Sequence, residues 1–269
     1  MKIAIPSYKR AETLVKKTLK YLLEDCNVDK SCITVFVANE KEYDVYFNTI
    51  PKGIKIVVGK ETLRGQRNFM DFYYEINDRV LFFDDDVEGL YKKEKSKTKL
   101  FTDLLSIYKI GFNECLRNNT ALFGVCAVNN GFYMNNKIST NLKYIVGCFY
   151  GQIITRDKNL SVSLEDKEDF ERTILYFHKY KKVVRLNMLA PKTNYYDEDG
   201  GMQVTRTEDR VTVSALTLIK RYPQYCSLNT KKKSKHTELK LNSRCAIGLA
   251  VQTYTSRGSN LDHSNLDYI

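Results

Sequence analysis

The stretch Val80 to Gly89 reads VLFFDDDVEG, in which four apolar residues run straight into three aspartates. An apolar strand of this kind delivers Asp84, Asp85 and Asp86 to its carboxyl end. Side chains alternate along a strand, so Asp84 and Asp86 are expected on one side and Asp85 on the other. Carboxylates this close repel one another, and a divalent cation removes that cost. Mg2+ or Mn2+ prefers oxygen ligands of this type and commonly carries substrate phosphates too. A solvated acidic turn is the plain alternative, against which the apolar lead-in counts.

Other groups of chemistry-bearing residues stand at comparable places. Pro6 to Arg10, Asn39 with Glu40, and Gly59 to Arg67 each follow a short apolar run. Arg64 and Arg67 are three apart, which suits either an anion site or an exposed helix start. Glu165, Asp166, Glu168 and Asp169 form an acidic group at the start of a helix-like stretch, where the helix dipole alone also favours acids. Several familiar sites are missing. No G-x-x-x-x-G-K-[ST] occurs, which excludes a P-loop, and no G-x-G-x-x-G follows the first strand, which argues against dinucleotide binding. With three histidines and no G-x-S-x-G, a Ser–His–Asp site has no support.

The elements that must position these residues alternate. Lys2 to Ile5 is a short strand. Leu14, Val15, Leu19, Leu22 and Leu23 recur at helical spacing, with Lys16, Lys17 and Lys20 on the other face. Ile33 to Ala38 is a β-branched strand, Glu42 to Asn48 a short helix, and Ile54 to Val58 a third strand. Gly65 to Ile76 predicts a helix with Phe69, Phe72, Tyr73 and Ile76 inward, and Val80 to Phe83 a fourth strand. Strand–helix alternation with continuous apolar strands is the pattern of a parallel sheet covered on both faces. Ligands of such sheets bind at the carboxyl ends of the strands, so all four residue groups would share one edge. Further on, Phe101 to Arg117, Asp169 to Tyr180 and Val211 to Tyr222 predict helices. Phe123 to Val128, Ile145 to Ile154 and Val183 to Asn187 predict strands. Asp197 to Gly201 predicts a turn or mobile loop, and the tail after Ser256 a disordered segment. No internal repeat is present.

The chain has 269 residues, 43% of them hydrophobic and 28% charged, which fits a folded protein and excludes a wholly disordered or fibrous one. No run approaches the ~20 apolar residues of a membrane span, and Pro6 and Ser7 interrupt any signal-peptide core, so a cytoplasmic location is expected. The seven cysteines contain no C-x-x-C pair and read as reduced thiols. Forty-three Lys and Arg against 32 Asp and Glu leave a net charge of +11. The excess gathers at Lys92, Lys93, Lys95, Lys97 and Lys99; at Lys179, Lys181, Lys182 and Arg185; and at Lys231, Lys232, Lys233 and Lys235. Each cluster suits a solvated face, but three together favour a polyanionic partner such as nucleic acid. Phe132, Tyr133, Phe149 and Tyr150 would either stack a base or fill core, and core is the expectation for most of them.

The combination of IAIPSYKR, the strand ending Ala38-Asn39-Glu40, Leu63-Arg64-Gly65-Gln66-Arg67-Asn68 and FFDDDV resembles the nucleotide-binding half of a GT-A-fold glycosyltransferase. The resemblance resumes at Lys167-Glu168-Asp169-Phe170-Glu171-Arg172. With Gly200-Gly201-Met202-Gln203 it is closest to the TET-associated glycosyltransferases of phages and related viruses, relatives of the base J glucosyltransferase. Members are thought to glycosylate hydroxymethylated pyrimidines in DNA. The resemblance implies an α/β, Rossmann-type, mixed but mostly parallel sheet flanked by helices in a single domain. Residues 1–90 would be its nucleotide-sugar-binding half, 91–256 its acceptor-binding and catalytic half, and 257–269 a disordered tail.

The resemblance also implies roles. Pro6, Ser7, Tyr8 and Arg10 would hold the nucleoside and diphosphate of a UDP-sugar, with UDP-glucose the default donor. Glu40 would lie near the uracil. Arg64, Gln66, Arg67 and Asn68 would contact base, diphosphate or sugar. Asp84, Asp85 and Asp86 would share ribose, sugar and a Mn2+ or Mg2+ ion, Asp86 foremost with Asp84 beside it. His236 would be a further metal ligand, although an exposed histidine is its plainer reading. Asp169 would take the acceptor proton, with Glu165, Asp166 and Glu168 as substitutes. An inverting, metal-dependent transfer to hydroxymethyl-pyrimidine DNA is the expected activity. A protein or glycan acceptor, a sugar-nucleotide nucleotidyltransferase and a non-catalytic DNA-binding module are the rivals.

Overall fold

Ile3 and Ile5 point to one side of the first strand and Ala4 to the other, and helices cover both sides. The computed structural model describes residues 1–95, 97–193, 201, 207–230 and 237–243. β1 (Lys2–Pro6), β2 (Ile33–Val37), β3 (Lys55–Val58) and β4 (Arg79–Phe83) pair in parallel in the order β3-β2-β1-β4. The sheet continues through β9 (Phe149–Ile153), β7 (Leu122–Val125), β10 (Val184–Leu186) and β8 (Ile138–Ser139). β9 runs antiparallel to both β4 and β7, while β10 is parallel to β7. The expected mixed, mostly parallel α/β sheet flanked by helices is therefore the fold of the chain.

The alternation of each strand separates two cores. Ile3, Ile5, Val35, Leu81 and Phe83 pack with Leu14 and Leu22 of α1, Tyr46 of α2 (Glu40–Thr49) and Phe112 of α4 (Leu104–Arg117). Helix α1 begins as α-helical Ala11–Leu14 and continues in π-helical turns, Val15–Leu19 and Tyr21–Asp25. On the other face Ala4, Phe36, Val80 and Phe82 pack with Met70, Ile174 and Leu218. Those residues come from α3 (Leu63–Tyr73), α5 (Glu168–Tyr180) and α6 (Glu208–Arg221).

Three expectations need correction, and one element was not foreseen. The lysine-rich stretch after β4 is a hairpin, β5 (Gly89–Glu94) and β6 (Lys97–Phe101), to which β11 (Leu189–Lys192) adds a third strand. Backbone pairing holds it, and its lysines gave no apolar alternation to read. Phe101 consequently ends a strand instead of starting a helix. The strand expected over Ile145 to Ile154 begins only at Phe149, because the preceding residues turn into the site. Helix α3 is rotated from the expected phase. Gln66, Arg67 and Met70 are its buried residues, while Phe72 and Ile76 are exposed. No helix among the described residues is long and apolar enough to cross a membrane.

Candidate active site

Because β1 to β4 are parallel, their carboxyl ends lie on one sheet edge, and the loops there carry the singled-out residues. After Pro6, Ser7 N–H donates to Phe36 O at 2.9 Å, which seats the loop beside the tip of β2. Lys9 takes a left-handed conformation (φ 55°), and its N–H donates to Glu42 Oε2 at 2.8 Å. Arg10 N–H donates to the Tyr46 hydroxyl at 3.1 Å, which lies 2.6 Å from Ser7 Oγ. Ser7 Oγ in turn donates to Asp85 Oδ2 at 2.6 Å. A single direction satisfies every member, from Arg10 through Tyr46 and Ser7 to Asp85. Burial raises the Tyr46 hydroxyl above its ordinary pKa, which keeps it a donor. Burial also pushes the Asp85 carboxyl up to about 7, against the pull of Arg10 and with Asp86 adding to it.

Asp84 faces the opposite way. Its N–H donates to Cys148 O at 2.9 Å, and its Oδ1 accepts from Arg67 Nη2 at 2.5 Å. Arg67, only 3% exposed, also donates to Gly147 O at 3.2 Å, and its Nε lies 3.6 Å from Glu168 Oε1. Arg172 Nη2 approaches the same Glu168 oxygen at 3.4 Å. Burial pushes Glu168 up to about 7; neighbouring Asp169 adds to this, and the two arginines oppose it. One guanidinium thus joins the acid-tipped strand β4 to the acidic start of α5. The two motifs lie far apart in sequence.

Asp169 is the half-buried member of this pair. Its Oδ2 accepts from the Tyr144 hydroxyl and its Oδ1 from Phe170 N–H at 2.8 Å. Tyr144 is held by a stacked contact with Phe170, 4.2 Å between ring centroids. A side chain at Gly147 would crowd this pair. A Cβ at this position would lie 3.2 Å from Glu168 Oε1 and 3.3 Å from Asp169 Cβ.

The expected alternation of the aspartates does not hold. Asp86 Oδ2 lies 3.5 Å from Arg10 Nη1, which also approaches Asp85 Oδ1 at 3.3 Å. Asp86 is therefore grouped with Asp85. The strand ends at Phe83, so the period of two lapses in the turn that follows. Thr18, inside the first π-turn of α1, holds that turn: its hydroxyl donates to Asp84 O at 2.8 Å and accepts from Val87 N–H at 2.9 Å.

The remaining candidates are less central. Arg64 is exposed and pairs with Glu165 at 3.0 Å. Gln66 accepts from Lys60 N–H at 2.5 Å and donates to Val37 O at 3.3 Å, and Asn68 exchanges two 2.9 Å bonds with the backbone of Val162. Gln66 and Asn68 thus tie loops to α3. Glu40 is exposed on the first turn of α2, which Asn39 caps. Tyr8 O accepts from Gly201 N–H at 3.0 Å, which brings part of the Gly200-Gly201-Met202-Gln203 motif against Arg10. His236 lies outside the described residues.

Sequence reading missed Thr18, Tyr46 and Tyr144. Thr18 left one signal, a polar residue among the apolar positions of α1. Tyr46 and Tyr144 left none among so many tyrosines.

No model of a protein family matches the chain, and no curated protein matches it in sequence. Among solved structures it is similar to TarS 1–349 of S. aureus, with a TM-score of 0.46 and 15% identity, over 71% of this chain and 59% of that one. The chain thus spans less than two thirds of that TarS structure. It is also similar to 4-diphosphocytidyl-2C-methyl-D-erythritol synthase from Anaerococcus prevotii DSM 20548, with a TM-score of 0.43 and 12% identity, over 80% and 95% of the two chains. Likeness at this level carries no information about activity, substrate or metal.

For a metal, the donor set decides the fit. Asp85 and Asp86, the two acids on the Arg10 side, offer hard oxygen donors, which suit Mg2+ or Mn2+ and not a thiolate-seeking ion, whereas Asp84 turns to Arg67. Among the described residues no three His, Cys, Asp or Glu side chains converge as a metal cage. Two carboxylates are nonetheless what Mg2+ commonly takes when substrate phosphates and water fill its other positions. The residues fit such a cation as an open half-site.

Proposed function

We propose that the chain is a UDP-sugar-dependent glycosyltransferase of the inverting type, with glucose the default sugar. Its acceptor is the hydroxyl of a hydroxymethyl-pyrimidine in DNA. The observation that carries this reading is Arg67, buried between Asp84 on one side and Glu168 next to Asp169 on the other. A donor-side acid group and an acceptor-side acid group meet at one cation, which is the layout a displacement at a sugar carbon needs.

In this reading Ser7, Tyr8 and Arg10 bind the nucleotide, and Glu40 lies near the base. Asp86, with Asp85 on the same side, would hold a Mn2+ or Mg2+ ion, which when bound supplies positive charge to the leaving diphosphate. Arg10 adds charge from the chain itself and gives up part of its hold on Asp85 and Asp86 as the diphosphate arrives. Such charge helps most where it develops, as the sugar–oxygen bond breaks. Asp169 accepts the acceptor proton, and Tyr144 orients its carboxylate. Arg67 and Glu168 fix the distance between the two groups. Attack from the Asp169 side and departure on the Arg10 side invert the anomeric centre.

A donor screen that reads UDP release, run with Mg2+ or Mn2+ and with or without hydroxymethylated DNA, tests the whole reading. UDP release and a hexose mass increment on the DNA are expected. Asp169→Asn should lower transfer by roughly 10²–10⁴-fold and leave UDP-sugar affinity in place. Pyrophosphate release from UTP and a sugar phosphate would show a nucleotidyltransferase instead. A product with retained configuration would rule out the inverting step.

A further inference from the structure

We propose that Arg172 is a positioning residue: seated over Tyr150, it fixes the angle at which Glu168 and Asp169 face the aspartate turn, as Arg67 fixes their distance. This deepens the proposed function and rests on it for the reaction.

The start of α5 lacks the usual anchor. Lys167, just before it, is left-handed (φ 61°) and supplies no side-chain cap. Glu168 is held from the interior instead. Arg67 of α3 and Arg172 of α5 converge on its Oε1, at 3.6 Å and 3.4 Å, and both arginines are buried. Arg172 lies one helical turn beyond Glu168, so that ion pair alone ties the helix only to itself. Its second contact reaches the sheet. The guanidinium carbon lies over the Tyr150 ring, 3.8 Å from the centroid. Tyr150 in turn stacks on Phe82, directly opposite it in the β4–β9 register, with centroids 4.6 Å apart and planes 4° from parallel.

Two links therefore run from β4 to Glu168. One leaves Asp84 through Arg67, and the other leaves Phe82 through Tyr150 and Arg172. One link would leave the helix start free to swing about it, and two fix its direction. Asp169 follows Glu168 and shares that direction, and Tyr144 then sets its carboxylate.

Stability does not explain this arginine. Its Nε is buried without a hydrogen-bond partner, and apolar residues commonly replace a buried ion pair at no loss. A guanidinium can cover the face of a ring and still reach a carboxylate with its nitrogens, whereas an ammonium is a compact point charge. The charged and titratable groups that face Arg172 are Arg67 and Asp71 of α3, Tyr150 of β9, and Glu168, Asp169 and Tyr176 of α5. Burial pushes Asp71 up to about 6, with Arg172 the largest pull against it, so two buried acids depend on this one charge. Lysine at this position keeps the charge and loses the plane, which separates geometry from electrostatics.

The test is steady-state transfer from UDP-glucose to hydroxymethylated DNA, with Mg2+ or Mn2+, by variants whose folded fraction is fixed by thermal melts. Arg172→Lys should lower kcat by roughly 10²-fold, the order that a 1 Å misplacement costs, with the KM for UDP-glucose and the pH profile in place. Arg172→Gln should lose at least as much and also move the acid limb of the profile to higher pH, because a cation that favours ionised carboxylates is gone. Tyr150→Leu leaves both arginines and should reproduce the Arg172→Lys loss, whereas Tyr150→Phe keeps the ring and should cost far less. Wild-type kcat in folded Arg172→Lys overturns the proposal, as do equal losses in Tyr150→Phe and Tyr150→Leu, or a rise in donor KM alone. If the Arg172 variants do not fold, the two Tyr150 variants decide. An inactive wild type defeats the proposed function and this inference together. An active wild type with a fully active Arg172→Lys defeats the inference alone.

Discussion

Arg67 carries more of the site than its position in the sequence suggests. A buried guanidinium with two carboxylate neighbours is costly to desolvate, and its geometry must be good to offset that. Its neighbour Glu168 sets a pH dependence. The folded-state pKa of Glu168 is raised from 4.5 to about 7, so its stabilising contribution is complete below the unfolded value and is lost as pH rises through 7. The melting temperature should therefore fall between pH 5 and pH 8, and Glu168→Gln should reduce that fall, as thermal melts at the two pH values will read. An equal fall in the variant would contradict this. Spacing alone left Arg64 and Arg67 equivalent. Four aromatic or aliphatic residues suggested one phase for α3, and the structure adopts another, with Arg67, Met70 and Tyr74 facing inward. A charged side chain on a buried face was not legible until Asp84 and Glu168 were known to flank it.

The acid-tipped strand and its parallel neighbours were readable because apolar runs of β-branched residues have few alternatives to a covered strand. The hairpin was not, since its lysines speak of solvent and its pairing of backbone. The turn that carries Asp84 to Asp86 depends on a feature of α1 that periodicity cannot show. Its π-helical turns aim Thr18 into the turn, and such turns recur at functional sites. Thr18→Val keeps the shape and removes the hydroxyl, leaving Val87 N–H and Asp84 O without this partner. A loss of about 1–3 kcal/mol in chemical denaturation is expected. UDP-sugar affinity should fall as well, because the acids are no longer held in register. Wild-type affinity in a destabilised variant would limit Thr18 to a structural role.

The candidate site draws on β1, α2, α3, β4 and α5, elements spread over both faces of one sheet. A ligand held there stabilises the common fold rather than a detachable part of it. With UDP-sugar and Mg2+ at about 100 times Kd, stability should rise by roughly 2.7 kcal/mol. One thermal transition should then move upward by roughly 5–10 °C. Two transitions of which only one moves would contradict a shared sheet. The excess positive charge was plain from composition. Composition does not reveal that Phe132 and Tyr133 face outward while Phe149 and Tyr150 fill core.

The antiparallel strand β9 has a consequence for biosynthesis. It lies between β4 and β7 but follows both in the chain. While a ribosome is still extending the segment beyond Val125, β4 and β7 each have a hydrogen-bonding flank with no neighbour, and such flanks invite pairing with other chains. Lysines crowd the intervening stretch, and their mutual repulsion would discourage nascent chains from joining there until Phe149 to Ile153 emerges and closes the gap.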